Sequence, residues 1–296
     1  MLDPLLTFSD ALVSRVAGSG AGLVCIHPGG NAQRTATLWR PGVLVTSEQG
    51  LPPDAAVPAV LPGGSHGQAH LAGRDSGTNV AVLRLDFDGP ALSAPAAARR
   101  GSLALVLGAA TDGSPTARLG LVHRVGPAWD SLGGSRIDQL ISLDARLSEQ
   151  DEGGPVLDAA GGLLGMSTLG PRRRVLVIPA ATVDRVLPPL LADGHVSRGW
   201  LGLGLQPVSI PAGWQTAAGL DAGLMVISLA TLGPAEQAGV LPGDILLAVG
   251  GAAAPHTRAM TGALGSCTAG TDVTLRLLRG GTPIELPVHV AIRPAA

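Results

Sequence analysis

The stretch richest in groups that could do chemistry runs Ser148-Glu149-Gln150-Asp151-Glu152, followed by Gly153-Gly154-Pro155. A hydroxyl beside carboxylates can serve nucleophilic catalysis when an imidazole takes and returns its proton. The chain holds seven histidines, of which His66, His70 and His123 are the ones to weigh as partners for Ser148. A pair at such positions also needs donors aimed at the developing oxyanion. The acids Glu149, Asp151 and Glu152 could instead hold a cation, but no histidine stands at ligand spacing, so no metal site and no cofactor are expected. His27, His195, His256 and His289 read as loop or strand-face residues, and Arg172-Arg173-Arg174 as a solvated loop. Cys25 and Cys267 lie far apart and read as reduced thiols without a structural bond.

The chain that must position these groups has 296 residues, enough for two domains. Hydrophobic residues make up 46% and charged ones 14%, with mean hydropathy +0.35, which excludes a disordered chain. Gly (43) and Pro (24) are abundant without a G-X-Y period, so short elements joined by tight turns are expected, not collagen. All 20 basic residues are arginine and the net charge is −2, so no nucleic-acid partner is indicated. No run is long and apolar enough to suggest a membrane span.

Residues 5–17 carry Leu5, Leu6, Ala11, Leu12 and Val16 at helical spacing. From Gly22 to Ile178 the pattern changes to about eleven short apolar runs between Gly, Pro, Asp and Ser clusters, among them Val43–Thr46, Val80–Leu85 and Leu163–Ser167. That is the signature of an all-β sandwich or barrel pair. A helix is expected from Pro179 to Leu187, shortened or kinked by Pro188-Pro189 because neither carries an N–H. Residues 193–199 form a polar, glycine-punctuated connector. Beyond it, strands are expected at Leu201–Leu205, Leu224–Leu229, Ile245–Val249, Asp272–Leu278 and Ile284–Val290, with helices at Ala235–Ala238 and Thr257–Leu264. The organisation is thus 1–20 as a helical segment, 21–192 as a β domain, 193–199 as linker and 200–296 as a compact module.

Gly223-Leu224-Met225-Val226-Ile227-Ser228, Gly233-Pro234-Ala235-Glu236-Gln237-Ala238-Gly239-Val240 and Leu241-Pro242-Gly243-Asp244-Ile245 resemble a bacterial PDZ domain. Arg198-Gly199-Trp200-Leu201-Gly202-Leu203 resembles that family's carboxylate-binding loop, which takes a peptide by strand addition. The resemblance implies a peptide site of Trp200, Leu201, Gly202 and Leu203, with Met260 and Leu264 on the opposite helix. A PDZ domain behind an all-β domain resembles the HtrA/DegP family of trypsin-like proteases. Asn79-Val80-Ala81-Val82-Leu83-Arg84-Leu85 is similar to that family's D-L-A-V-L-K strand, and Gly153-Gly154-Pro155 to the end of its G-N-S-G-G-P turn. The fold implied is mainly β, a trypsin-like double β-barrel followed by a PDZ domain.

Carried over motif by motif, the resemblance puts Glu152 at the family's serine, Asn79 at its aspartate and Gln49 (in Thr46-Ser47-Glu48-Gln49-Gly50) at its histidine. Gln150 stands at the oxyanion-hole glycine. A carboxylate is no alkoxide nucleophile, and an amide has no proton to shuttle near neutral pH. The sequence therefore reads as a pseudoprotease: no enzyme, but a scaffold or adaptor that binds a partner protein or carboxyl-terminal peptide through its PDZ groove or its degenerate cleft. The alternatives are a serine peptidase using other residues, Ser148 among them, and a holdase-type chaperone. The family's habit of forming trimers implies an oligomer, with Leu5–Val16 where such contacts are made. Met1-Leu2-Asp3-Pro4 shows no basic leader, which reads as cytoplasmic, or periplasmic if the amino terminus has been trimmed.

Overall fold

The computed structural model describes residues 3–53, 56–90, 95–131, 135–197, 199–265 and 269–292. They pack as two compact units: residues 1–129 with 137–196, and residues 130–136 with 197–296. Cys267 lies outside the described residues.

The first unit opens with α1 (Pro4–Gly20), whose first turn is capped by the Asp3 carboxylate accepting from Leu5 N at 2.9 Å. Two closed six-stranded barrels follow. The first comprises β1 (Leu23–Gly29), β2 (Ala32–Arg40), β3 (Val43–Ser47), β4 (Ala56–Val60), β5 (His66–Asp75) and β6 (Val80–Arg84), in the order β1-β2-β3-β6-β5-β4. The second comprises β7 (Leu103–Ala109), β8 (Pro115–Gly126), β9 (Leu140–Arg146), β10 (Pro155–Asp158), β11 (Leu163–Leu169) and β12 (Arg174–Pro179), in the order β9-β12-β11-β10-β7-β8. Closure leaves no open sheet edge on either barrel. This is the double barrel that the turn-rich apolar runs indicate.

One strand of the two barrels was not anticipated. In β4, Pro58 interrupts an apolar run, which speaks against a strand interior. The strand forms because β1 pairs with it only through Cys25↔Val60 and Ile26↔Ala59, so Pro58 is asked for hydrogen bonds only by β5.

Both barrels share a core in which Leu23, Val45 and Val82 of the first meet Leu105, Leu107 and Met166 of the second. Helix α2 (Ala180–Ala192) completes it with Val183, Val186, Leu187 and Leu190, all within 1% of full burial. The helix runs through Pro188 and Pro189 where the sequence suggested an end near Leu187. Burial of Leu190 beyond the prolines favours continuation over the lost bonds. The chain past α2 is held against β5, where a Cβ on Gly73 would lie 2.3 Å from Leu190 O and 2.9 Å from Gly194 O.

The second unit contains β13 (Gly199–Trp200), β14 (Leu203–Ser209), α3 (Ala212–Ala218), β15 (Ala222–Leu229), α4 (Pro234–Gln237), β16 (Ile245–Val249), α5 (Thr257–Gly265), β17 (Asp272–Arg279), β18 (Thr282–His289) and β19 (Ala291–Ile292). Its sheet runs β14-β15-β16-β17-β18, with β13 and β19 paired separately. Helix α3 was also missed by sequence: Gly213 sits inside it and only Ala218 is buried, so no apolar periodicity marks it. It ends on Gly219 in the left-handed region, at φ 70°.

If α2 is held past its prolines by Leu190, Leu190→Ala is expected to lower unfolding stability by about 2–5 kcal/mol in urea titration, and Leu191→Ala, half-buried, by less.

Candidate functional site

The seam between the two barrels brings Gln49, Asn79 and Glu152 into one hydrogen-bonded set. Gln49 lies on a short 3-10 turn (Glu48–Gly50) directly after β3, and Asn79 immediately precedes β6. Glu152 lies on the turn before β10 and is 1% exposed. Its Oε1 accepts from Ser47 Oγ (3.0 Å), Gln49 Nε2 (2.5 Å), Thr168 Oγ1 (3.2 Å) and Leu169 N (3.4 Å). Its Oε2 faces Arg34 Nε at 3.4 Å. Arg34 reaches this place over Gly50, where a Cβ would come within 2.8 Å of Nε.

Asn79 links the same donors. Its Nδ2 donates to Thr168 Oγ1 (2.6 Å), and its Oδ1 accepts from Gln49 N (2.8 Å). Asn79 holds a left-handed backbone, φ 57°, a conformation in which asparagine is several-fold enriched.

The turn carrying Glu152 is fixed by glycines. Gly153 has φ 89°, and a Cβ there would meet Thr35 O at 2.2 Å and Thr46 Oγ1 at 2.3 Å. Thr35 of β2 ties the first barrel to this turn, donating N–H to Glu152 O (3.0 Å) and Oγ1–H to Gln150 O (2.7 Å). Glu152 N donates to Glu149 O (3.3 Å), so this amide is engaged within its own turn. The Glu152 carboxylate is turned toward Ser47, Gln49 and Thr168. Gln150 is half-buried and its Nε2 donates to Ala109 O (3.2 Å).

Asp151, the next carboxylate, occupies a separate buried position. It accepts from Ser148 Oγ (2.5 Å), Thr116 Oγ1 (2.7 Å) and Arg118 Nε (2.5 Å). Burial alone would raise the pKa of this carboxyl. Hydrogen bonds from Ser148, Thr116 and Arg118, with the Arg118 charge, outweigh it and hold the group below the ordinary carboxylate value. Sequence reading singled out Ser148 and Asp151 without pairing them, because Thr116 and Arg118 come from β8. The hydroxyl of Ser148 is thus bonded to a carboxylate, while His66, His70 and His123 are exposed on β5 and β8.

The second unit places Leu201 (2% exposed) and Met260 (5%) in one apolar cluster, with Leu203 and Leu205 packed against it. Gly202 has φ 74°, which a side chain would strain. Trp200 lines a cavity of about 460 Å³ with Leu232, Pro234, Pro287, His289 and Ile292. The side chain of Leu264 and all of Arg198 lie outside the described residues.

Residues 34–166 match the trypsin-like peptidase domain family and residues 199–290 the PDZ domain family. Over 97% of its length the chain superposes on a variant of the HtrA-type protease AlgW solved with a decapeptide, covering 98% of that chain, with TM-score 0.78 and 25% identity. The chain is HtrA/DegP-like. The serine endoprotease from Yersinia pestis shares the fold over 97% of this chain and 98% of its own, at TM-score 0.76 and 22% identity. Among curated relatives, a probable periplasmic DegP-like serine endoprotease of Brucella suis is 27% identical over 264 residues, 86% of this chain and 51% of its own. The corresponding protein of Halomonas elongata is 30% identical over 240 residues, 77% of this chain and 49% of its own. The chain therefore spans about half the length of the curated relatives it matches.

These likenesses correct three expectations. A non-catalytic scaffold does not hold as the reading, because the HtrA/DegP-like relatives are named serine endoproteases; for the same reason the conclusion that the chain is no enzyme is withdrawn. The cytoplasmic assignment is overturned because the curated relatives are named periplasmic, and where this chain begins carries no weight on the question.

Two outcomes are expected from the carboxylates. Glu152→Ala removes the buried acceptor shared by Ser47, Gln49, Thr168 and Arg34 Nε and should cost about 3–5 kcal/mol in chemical denaturation, whereas Glu152→Gln, which keeps one oxygen, should cost less. Asp151 has a depressed folded-state pKa, so its contribution is complete above the unfolded carboxylate pKa and is lost as pH falls through the folded value. Melting temperature should therefore decline on acidification less steeply in Asp151→Asn than in the parent.

Proposed function

We propose that this chain is an endoprotease of the HtrA type, acting on polypeptides in the periplasm and taking the tail of its substrate on the PDZ module. The observation that carries the reading is the likeness, over 97% of the chain, to an HtrA-type protease solved with a decapeptide. The names of the curated relatives, periplasmic serine endoproteases, support it.

Gln49, Asn79 and Glu152 take the places of histidine, aspartate and serine in this reading, and Gln150 that of the oxyanion glycine. Gln49 and Asn79 are amides and shuttle no proton, and Glu152 is no alkoxide nucleophile, its carboxylate being already engaged by Ser47, Gln49 and Thr168. Attack on a peptide carbonyl then falls to another hydroxyl. Ser148 fits best: it is half-buried, two residues from Gln150, and its Oγ already points its proton at Asp151 Oδ2, 2.5 Å away. In the first step the Ser148 Oγ–carbonyl carbon bond forms and the proton passes to Asp151. The peptide C–N bond then breaks, with that proton delivered to the leaving amine, and water hydrolyses the acyl-enzyme in the reverse order of transfers. Asp151 is a stabilised carboxylate and hence a weak base, so turnover is slow compared with an imidazole-assisted enzyme.

The PDZ module supplies the peptide site: Leu201, Gly202 and Leu203 form the carboxylate loop and Met260 the apolar wall.

Purified chain is expected to degrade casein slowly, with Ser148→Ala lowering kcat at least about 100-fold at unchanged KM, and a fluorophosphonate probe is expected to attach at Ser148. A parent chain that neither cleaves casein nor takes the probe contradicts the reading.

A further inference from the structure

Strand β14 is the edge of the PDZ sheet: among the described residues it has a strand partner, β15, on one side only. Which of its backbone groups face the open side follows from the ladder. In an antiparallel pair, residues exchanging both N–H···O bonds alternate with residues whose groups point outward. Ile210 N donates to Asp221 O and Ala230 N donates to Gly202 O, each at 2.8 Å, which fixes Ile210 and Gly202 as inward-bonded. By alternation Gly204, Gln206 and Val208 are inward as well, opposite Ser228, Met225 and Gly223. The irregularity between Gly204 and Leu205 places an extra residue on β15, so the alternation along β14 is preserved.

A third observation agrees. Val226, opposite Leu205, uses its own N–H and C=O on the other side, donating to Asp244 O and accepting from Gly243 N, both at 2.8 Å. Leu203, Leu205 and Pro207 therefore direct their backbone groups at the open edge. Of these, Leu203 and Leu205 offer a donor and an acceptor. Pro207 offers an acceptor only, with its ring carbon where a donor hydrogen would stand.

A peptide added antiparallel, with its carboxylate at the Leu201-Gly202-Leu203 loop, places its last residue opposite Leu203. The residue two positions upstream then lies opposite Leu205, and the residue four positions upstream opposite Pro207. We infer that Pro207 weakens strand addition beyond the fourth residue, so that the last four residues of a free carboxyl-terminal tail supply most of what this edge reads. The occupant is a short apolar-ended tail, matched to the partly buried Leu203 and Leu205 of the edge strand. The residue opposite Pro207 can donate to its carbonyl but finds no N–H to accept, so it gains at most half of the paired bonds that Leu203 and Leu205 offer. The missing N–H costs the domain no ladder bond, and it blunts the edge against pairing with other strands.

The inference rests on the PDZ module taking peptides, and its test separates the two. A display library of carboxyl-terminal octapeptides, randomised at all eight positions, is selected on the full chain; the best binder is then shortened from its amino end and measured by fluorescence anisotropy. In the parent, octapeptide and tetrapeptide should agree in Kd within about twofold. In Pro207→Ala the octapeptide should tighten by about three- to tenfold, the effect of one added hydrogen bond, with the tetrapeptide unchanged. A loss of tenfold or more on shortening the parent's ligand from eight residues to four overturns the length limit, as does an equal gain for both peptides in Pro207→Ala. A library that yields no binder dependent on a free carboxylate overturns the peptide reading itself.

Discussion

A carboxylate removed from water must be met by donors or it will not stay charged, and the Glu152 carboxylate is met from both barrels at once. Ser47, Gln49 and Arg34 come from the first barrel, and Thr168 and Leu169 from the second. This acid converts the seam between the barrels into a polar joint. The rest of the first unit is arranged around it: Gly50 lets Arg34 pass, Gly153 lets the turn come up against Thr35 and Thr46, and Asn79 accepts a left-handed backbone to reach Thr168.

The same joint sets the terms for chemistry in the cleft. Four donors converge on Oε1, and Glu152 N is spent on Glu149 O. The half-buried flank of the turn carries a second hydroxyl–carboxylate pair, Ser148 and Asp151, supported by Thr116 and Arg118. Two adjacent acids thus serve different ends. Glu152 holds the barrels together, and Asp151 orders the surface that remains accessible.

Much of this was legible in the sequence. Alternating apolar runs separated by turn residues announced barrels, and Pro242-Gly243-Asp244 announced the turn into β16. Motif positions alone brought Gln49, Asn79 and Glu152 into one list, and folding brings them into one network. What escaped has physical causes. Strand β4 was hidden by Pro58, whose missing donor matters little on a strand paired for only two residues with β1. Helix α2 outlasts its prolines because Leu190 is worth burying, a tertiary effect that local rules do not contain. The support that Thr116 and Arg118 give Asp151 comes from β8, more than 30 residues earlier in the chain. The functional expectation fails for a different reason: the residues at the family's motif positions imply no activity, whereas the HtrA/DegP-like relatives are named serine endoproteases.

The central claim is that Glu152 couples the barrels through charge-assisted hydrogen bonds, and a double-mutant cycle between Gln49 and Glu152 tests it most directly. Unfolding free energies of the parent, Gln49→Ala, Glu152→Ala and the double variant give the pairwise coupling. The account predicts about 1.5–3 kcal/mol, the range for a hydrogen bond to a charged group. A coupling within about 0.5 kcal/mol of zero, the range in which independent sites add, contradicts it.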